Sequence, residues 1–216
     1  MNFGAPFTFP FEDPDWLKKI ALAGLVSLIP IVGQLFIAGW GLEVARRVIK
    51  GESTLLPDID FGAHLGLGFK QLVIGFVYAL PLIVLWIPVA VVGAGGAAAG
   101  MDEETLAIVA GVISCCCGGL ALIYSLLLAF MLPAALGRVL DTGELGAAFK
   151  VKEVFALVKA APVPFLIAIA GSLIAGFIAP LGGIAIGIGA IFTMAYAMAI
   201  IGHFYGQAYN EAKAAL

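Results

Sequence analysis

Four long apolar segments constrain this chain most strongly, because each meets or nearly meets the length needed to cross a lipid bilayer. A helix needs about 20 mostly apolar residues to span the hydrocarbon layer. Since lipid cannot hydrogen-bond an exposed backbone, the segments are expected to be α-helices despite their many β-branched residues. They are roughly Gln71–Ala97, Leu106–Leu136, Val163–Ile178 and Leu181–Ala208.

The composition supports the same fold class. The chain has 216 residues, of which 62% are hydrophobic and 12% charged, and its mean hydropathy is +1.12. An ordinary soluble domain is about 45–50% apolar and about 25% charged, so a soluble protein of this size could not bury so much apolar surface. No basic run is interleaved with aromatic residues, which argues against nucleic-acid binding. We expect an all-α, polytopic membrane helix bundle.

The N-terminal region holds two shorter apolar runs, separated at Pro30. The first follows Asp13-Pro14-Asp15, which is typical of a helix start. The two runs form either one kinked helix or two short helices in a hairpin. Lysines precede the first run and basic residues follow the second, and cytoplasmic flanks carry excess Lys and Arg. A hairpin places both basic groups on one side, so we predict a short or re-entrant pair.

The remaining basic residues extend this topology. About six helical segments, arranged as three hairpins, would place all eleven Lys and Arg on the cytoplasmic side with both termini. The opposite side would hold the acidic residues at positions 102–104. Residues 1–14 are expected to form an extended N-terminal arm, and residues 15–216 a single membrane domain.

Two connecting segments have their own patterns. Glu144–Lys159 alternates apolar and basic residues in a way that fits an amphipathic helix on the inner leaflet, or a cytoplasmic extension of the fifth helix. Thr54–Phe69 is its expected counterpart. A weak repeat between residues 15–52 and 104–144 is suggested by Arg47-Val-Ile-Lys-Gly-Glu52 and Arg138-Val-Leu-Asp-Thr-Gly-Glu144, and it would be a parallel repeat.

The opening of the chain resembles a known family. The matching stretches are Phe11-Glu-Asp-Pro-Asp-Trp-Leu-Lys-Lys19, Leu28-Ile-Pro-Ile-Val-Gly-Gln34 and Gly41-Leu-Glu-Val-Ala-Arg-Arg-Val48. They are similar to the start of a prokaryotic multi-pass membrane family catalogued as domain of unknown function 4013. The resemblance implies a bacterial or archaeal protein of the cytoplasmic (inner) membrane, and it implies no activity.

Few ionisable or polar residues lie in or near the apolar segments, where they are functional candidates by default. Glu43 is followed by Arg46 and Arg47, which gives either an ion pair or a lipid-headgroup site. Gln34 follows the Pro30 break and is expected to bond freed backbone groups. His203 and Gln207, four residues apart, are expected to make intramembrane hydrogen bonds.

Small residues make up the other candidate features. Gly183 and Gly187 form a small-xxx-small pair, which serves either packing within the chain or association between helices. Cys115, Cys116 and Cys117 are consecutive inside an apolar segment. Their spacing fits neither a disulfide framework nor a usual metal site, so they are predicted to be small packing residues.

No catalytic motif is recognisable, and we expect no catalytic residue, metal site or cofactor. The favoured function is a non-enzymatic scaffold or accessory subunit, with the lipid bilayer and a second copy or another membrane subunit as partners. The alternative is a transporter or channel-like protein for a lipid or small apolar molecule.

Overall fold

The computed structural model of the chain describes residues 1–184 and 188–216, and it is built from α-helices joined by short turns. The helices are α1 (Ala5–Thr8), α2 (Trp16–Ser27), α3 (Val32–Lys50), α4 (Phe61–Ala98), α5 (Glu103–Thr142), α6 (Val151–Ala160), α7 (Pro162–Leu181) and α8 (Ile188–Ala214). Four of them, α4, α5, α7 and α8, are long and apolar enough to cross a membrane. An α-helical membrane protein is therefore confirmed.

Two compact units are distinguished within the chain. Unit 1 comprises residues 1–74 and 130–216, and unit 2 comprises residues 75–129. All eleven Lys and Arg fall in unit 1, and the charged residues of unit 2 are Asp102, Glu103 and Glu104. The polar chemistry of the protein is therefore concentrated in unit 1.

Helix α8 is the centre of unit 1, because α1, α2, α3, α6 and α7 all pack against it. Small residues permit the closest approaches. A Cβ atom on Gly202 would overlap the carbonyl oxygen of Gly41, and one on Gly24 would overlap the carbonyl oxygen of Ile191. The core beside these crossings is fully buried and includes Phe36, Trp40 and Ala195. Close backbone packing of this kind is typical of helices in membranes.

The two N-terminal apolar runs form separate helices, α2 and α3. The two helices are joined by a tight turn in which the Val32 amide donates to the Pro30 carbonyl at 2.7 Å. Ile31, at the centre of this turn, has a φ of 65° and is 79% exposed. A 12-residue helix such as α2 is about 18 Å long, which is too short to cross the hydrocarbon layer.

Unit 2 contains parts of α4 and α5 and the turn between them. The Tyr124 hydroxyl donates to the Tyr78 carbonyl at 2.9 Å, which ties the two helices together. At the turn, Gly100 has a φ of 73°, and the Asp102 carboxylate accepts the Thr105 amide at 2.8 Å. This contact caps the start of α5.

The N-terminal arm differs from the extended arm that the sequence predicts. Residues 5–8 form α1, and Phe9–Glu12 form a turn of 3-10 helix. Prolines at the first or second position of each turn favour helical starts. The arm is held in this form by tertiary contacts, because the Tyr196 hydroxyl donates to the Phe7 carbonyl at 2.7 Å and Phe7 packs on Phe204.

The two connecting segments also have distinct structures. Glu144–Lys159 forms a 3-10 turn followed by α6, which the non-helical backbone of Ala161 separates from α7. Helix α6 buries Val154 and Leu157 and exposes Lys152 and Lys159, so it is amphipathic as predicted. Thr54–Phe69 does not form a separate counterpart, since α4 begins at Phe61 and continues without a break.

The two segments of the suggested repeat fold differently. Residues 15–52 form two helices, whereas residues 104–144 fall almost wholly in α5. Each segment contains a glycine that follows the end of a helix. These glycines, Gly51 and Gly143, have φ angles of 69° and 81°. A glycine in the left-handed region after the last turn is a common helix terminator, and it accounts for the similar sequences.

Candidate functional site

Donors from α2 and α3 converge on the segment of residues 51–60, here called the 51–60 loop. Lys19 Nζ and Arg47 Nη1 both donate to the Leu56 carbonyl, at 3.1 and 3.3 Å. Trp40 Nε1 donates to the next carbonyl, that of Pro57, at 3.2 Å. Basic residues from the two helices, Lys19 and Arg47, therefore meet at the same backbone segment.

Lys19 is also paired with an acidic residue that the sequence analysis did not single out as a site. Its Nζ lies 2.8 Å from Asp13 Oδ2, and both residues are 9% exposed. Burial alone would raise the pKa of Asp13, but the bond and charge of Lys19 hold it below its ordinary value. Burial likewise opposes the charge of Lys19, and Asp13 more than compensates, which raises the pKa of Lys19.

Glu43 is buried, and its carboxylate forms ion pairs with two arginine side chains. Its Oε1 lies 2.6 Å from Arg46 Nη2 and 3.4 Å from Arg47 Nε. Arg47 also donates to the Thr54 carbonyl at 3.0 Å, so it links α3 to the 51–60 loop. The structure thus brings together the three residues proposed as an ion-pair or headgroup site. The Arg46 side chain is about half exposed.

A second ion-pair cluster joins three helices through Asp141. The carboxylate lies 2.7 Å from Lys213 Nζ and 3.4 Å from Lys50 Nζ, and it accepts the Tyr209 hydroxyl at 3.0 Å. Sequence reasoning did not select Asp141. The sequence does show that Asp141 lies at the charged end of a long apolar helix. It does not show its partners, which are 68 to 91 residues away along the chain.

The other predicted polar contacts lie elsewhere in unit 1. Gln34 Nε2 donates to the Ser27 carbonyl at 3.1 Å, across the turn between α2 and α3. His203 Nδ1 and Gln207 Nε2 are 2.9 Å apart on α8, and Gln207 also bonds the backbone of Asn2. These residues are separate from the 51–60 loop and hold the hairpin turn and the N-terminal arm in place.

The predicted glycine pair is only partly described. Gly183 lies in a turn of 3-10 helix, Gly182–Ile184, and therefore precedes α8 instead of lying on it. Gly187 is outside the described residues. The cysteine triplet lies on α5, where Cys115 and Cys116 are exposed and Cys117 is buried.

Two cavities flank the 51–60 loop. One, of about 120 Å³, is lined by residues of the loop, including Ser53, and by Glu12 and Asp13. The other, of about 210 Å³, is lined by Asp15, Lys18, Lys19, Leu22, Asp58 and Ile59. The second cavity has basic, acidic and apolar walls, which suits an amphiphilic molecule better than a simple ion.

Comparison with known protein families gives one match. The profile of a family described as "Protein of unknown function (DUF4013)" matches residues 22–188. The match includes two of the three stretches that resemble the family, residues 28–34 and 41–48. It starts after the first stretch, residues 11–19. Comparisons with curated proteins and with solved structures found no match.

Proposed function

The chain belongs to the DUF4013 family of proteins of unknown function, and from that premise we propose that it is a non-enzymatic scaffold or accessory subunit of a membrane assembly. The observation that carries this proposal is a stripe of small residues on α5, formed by the exposed Gly111 and Cys115 and the half-buried Gly118. These positions recur at intervals of four and three, so they share one helix face. Small residues on one face let a second helix approach closely in lipid.

The stripe is open in the described part of the chain. No described atom lies within 4 Å of where a Cβ would be on Gly111 or Gly118, and Cys115 is exposed. The contact between α5 and α4 in unit 2 uses another face, which carries Tyr124 and the buried Cys117. In unit 1, by contrast, glycines such as Gly202 are covered by neighbouring helices. The occupant that we propose for the stripe is the same stripe of a second copy.

The two exposed cysteines test this self-association with a matched control. A variant that keeps only Cys115, with Cys116→Ala and Cys117→Ala, is expected to form a disulfide-linked dimer when oxidised in membranes. A variant that keeps only Cys116, which lies about 100° around the helix from Cys115, is expected to cross-link several-fold less. Adding Gly111→Leu to the first variant should reduce its cross-linking. Equal cross-linking from both cysteines, or none from Cys115, would contradict self-association through this stripe.

We propose further that the protein lies in a prokaryotic inner membrane with both termini in the cytoplasm. The clustering of the basic flanks of α2 and α3 on the 51–60 loop supports this orientation, since such flanks favour the cytoplasmic side.

The orientation is testable by single-cysteine labelling in intact cells, in a background with all three native cysteines replaced by alanine. An impermeant thiol reagent is expected to label the variant with Asp102→Cys. It should not label variants with Glu52→Cys or Gly146→Cys until the membrane is permeabilised. External labelling at position 52 would show that the N-terminal hairpin has a different orientation.

A further inference from the structure

We propose that the cavity of about 210 Å³ between α2 and the 51–60 loop binds the headgroup of a zwitterionic phospholipid that carries a primary ammonium, phosphatidylethanolamine. We call this cavity the headgroup cavity. The proposal requires only that the start of α2 lies at the membrane surface and that the helix runs from there into the leaflet, and it does not depend on self-association through α5.

The charges of the headgroup cavity suit a zwitterion. Two lysines and two aspartates line it, so their formal charges cancel. Lys19 is held by Asp13, by the Leu56 carbonyl and, at 3.4 Å, by Asp58. Lys18 is exposed at the rim and is the cation placed to receive a phosphate. Asp15 and Asp58 are exposed as well and are placed to receive an ammonium.

An apolar stripe continues from the headgroup cavity along α2. Leu22 lines the cavity, and Leu25 follows it one turn later on the same face. Ile29 continues this face into the turn, and the three side chains are 41%, 51% and 46% exposed. From Lys18 to Ser27, where α2 ends, the helix rises about 14 Å, which is close to half of the about 30 Å hydrocarbon layer. The stripe therefore matches the depth of one acyl chain in one leaflet.

The combination of these features selects among lipids. A phosphate beside Lys18 and a primary ammonium beside the aspartates would both be paired. A choline headgroup has no N–H to donate to the carboxylates, and a glycerol headgroup brings no cation to them. Charge-assisted hydrogen bonds are about twice as strong as neutral ones. The ammonium of phosphatidylethanolamine is therefore expected to favour this lipid over those with choline or glycerol headgroups.

The test measures lipid binding to the full chain in detergent by native mass spectrometry. Phosphatidylethanolamine, phosphatidylcholine and phosphatidylglycerol with identical acyl chains are compared at equal concentrations. We expect phosphatidylethanolamine to bind about tenfold more tightly than the other two, the factor expected when two solvent-exposed ion pairs are lost. Glycerophosphoethanolamine, which has the headgroup without acyl chains, should not compete at the same concentration.

Variants assign the binding to this cavity. Lys18→Gln should weaken the binding of phosphatidylethanolamine and phosphatidylcholine alike, because both carry the phosphate. Asp58→Asn should remove the preference between them, and Asp15→Asn provides the same test at a residue that is not paired with Lys19. Lys152→Gln, which changes an exposed lysine on α6, should have no effect.

Four results would each contradict the proposal. Equal binding of the three lipids would show that the headgroup is not recognised, and a preference for phosphatidylglycerol would indicate a simple basic patch. A preference for phosphatidylethanolamine that survives both Asp58→Asn and Asp15→Asn, or lipid binding that Lys18→Gln does not weaken, would place the site elsewhere. Competition by glycerophosphoethanolamine would show that the headgroup binds without the acyl chains, so that the apolar stripe on α2 does not contribute to binding.

Discussion

Replacing Gly68 by alanine is expected to destabilise the protein by about 3 kcal/mol, the upper end of the usual cost of overpacking. A Cβ atom at this position would overlap the carbonyl oxygen of Leu35 on α3. The obstacle is backbone, so no side-chain rotation can relieve it, and α3 and α4 must separate. Reversible unfolding in detergent micelles, followed by helical circular dichroism, would measure the change.

Gly66 supplies the matched control, because it lies two residues earlier on the same helix. No described atom lies within 4 Å of where its Cβ would be. Gly66→Ala is therefore expected to leave stability unchanged or to raise it by about 0.5–1 kcal/mol through helix propensity. If Gly68→Ala were as stable as Gly66→Ala, the close crossing of α3 and α4 would be wrong.

Replacing Lys19 by methionine is expected to cost about 3 kcal/mol, because breaking a buried ion pair leaves the other charge without a partner. Asp13, whose side chain is 7% exposed, would lose its cation. Lys18→Met is the control, since the neighbouring lysine is exposed and its replacement should change stability by less than about 0.5 kcal/mol. Equal effects of the two substitutions would contradict the buried pair.

The same pair predicts a pH dependence of the free energy of unfolding. The pKa of Asp13 is lowered in the folded protein from an ordinary value of 3.8, so its stabilising contribution is present above that pH and lost below it. The pKa of Lys19 is raised from 10.5, so its contribution is lost only when the pH rises above that value. Acid should therefore destabilise the wild type between pH 4 and its lowered pKa, and the Lys19→Met variant should lack that part of the slope.

The sequence predicts the long membrane helices well, because their length and apolar character follow from the bilayer itself. The segment Gln71–Ala97 lies within α4, and Leu106–Leu136 lies within α5. The continuation of α4 back to Phe61 was not predicted. Glycines weaken a helix by about 1 kcal/mol each, but Gly68 is required for the crossing with α3, and that tertiary contact is not visible in a local pattern.

The candidate site was predicted only where its partners are close in sequence. Glu43, Arg46 and Arg47 lie within two helical turns, and the structure pairs them. The headgroup cavity and the Asp141 cluster depend on residues brought together from distant segments. Lys18 and Asp58 are 40 residues apart in numbering and share a wall of one cavity. Charge placement along the chain predicts a cytoplasmic side for such residues, but it could not predict which ones meet.

The central position of α8 has a consequence for how the protein is made. Helices α1, α2, α3, α6 and α7 all pack on α8, yet every one of them precedes it in the chain. During synthesis the ribosome therefore delivers the shared partner after the helices that need it. Until α8 is inserted, Gly41 on α3 and Gly171 on α7 are without the neighbours, Met198 and Phe204, that pack against them, so unit 1 is completed by a late event and not built up pair by pair.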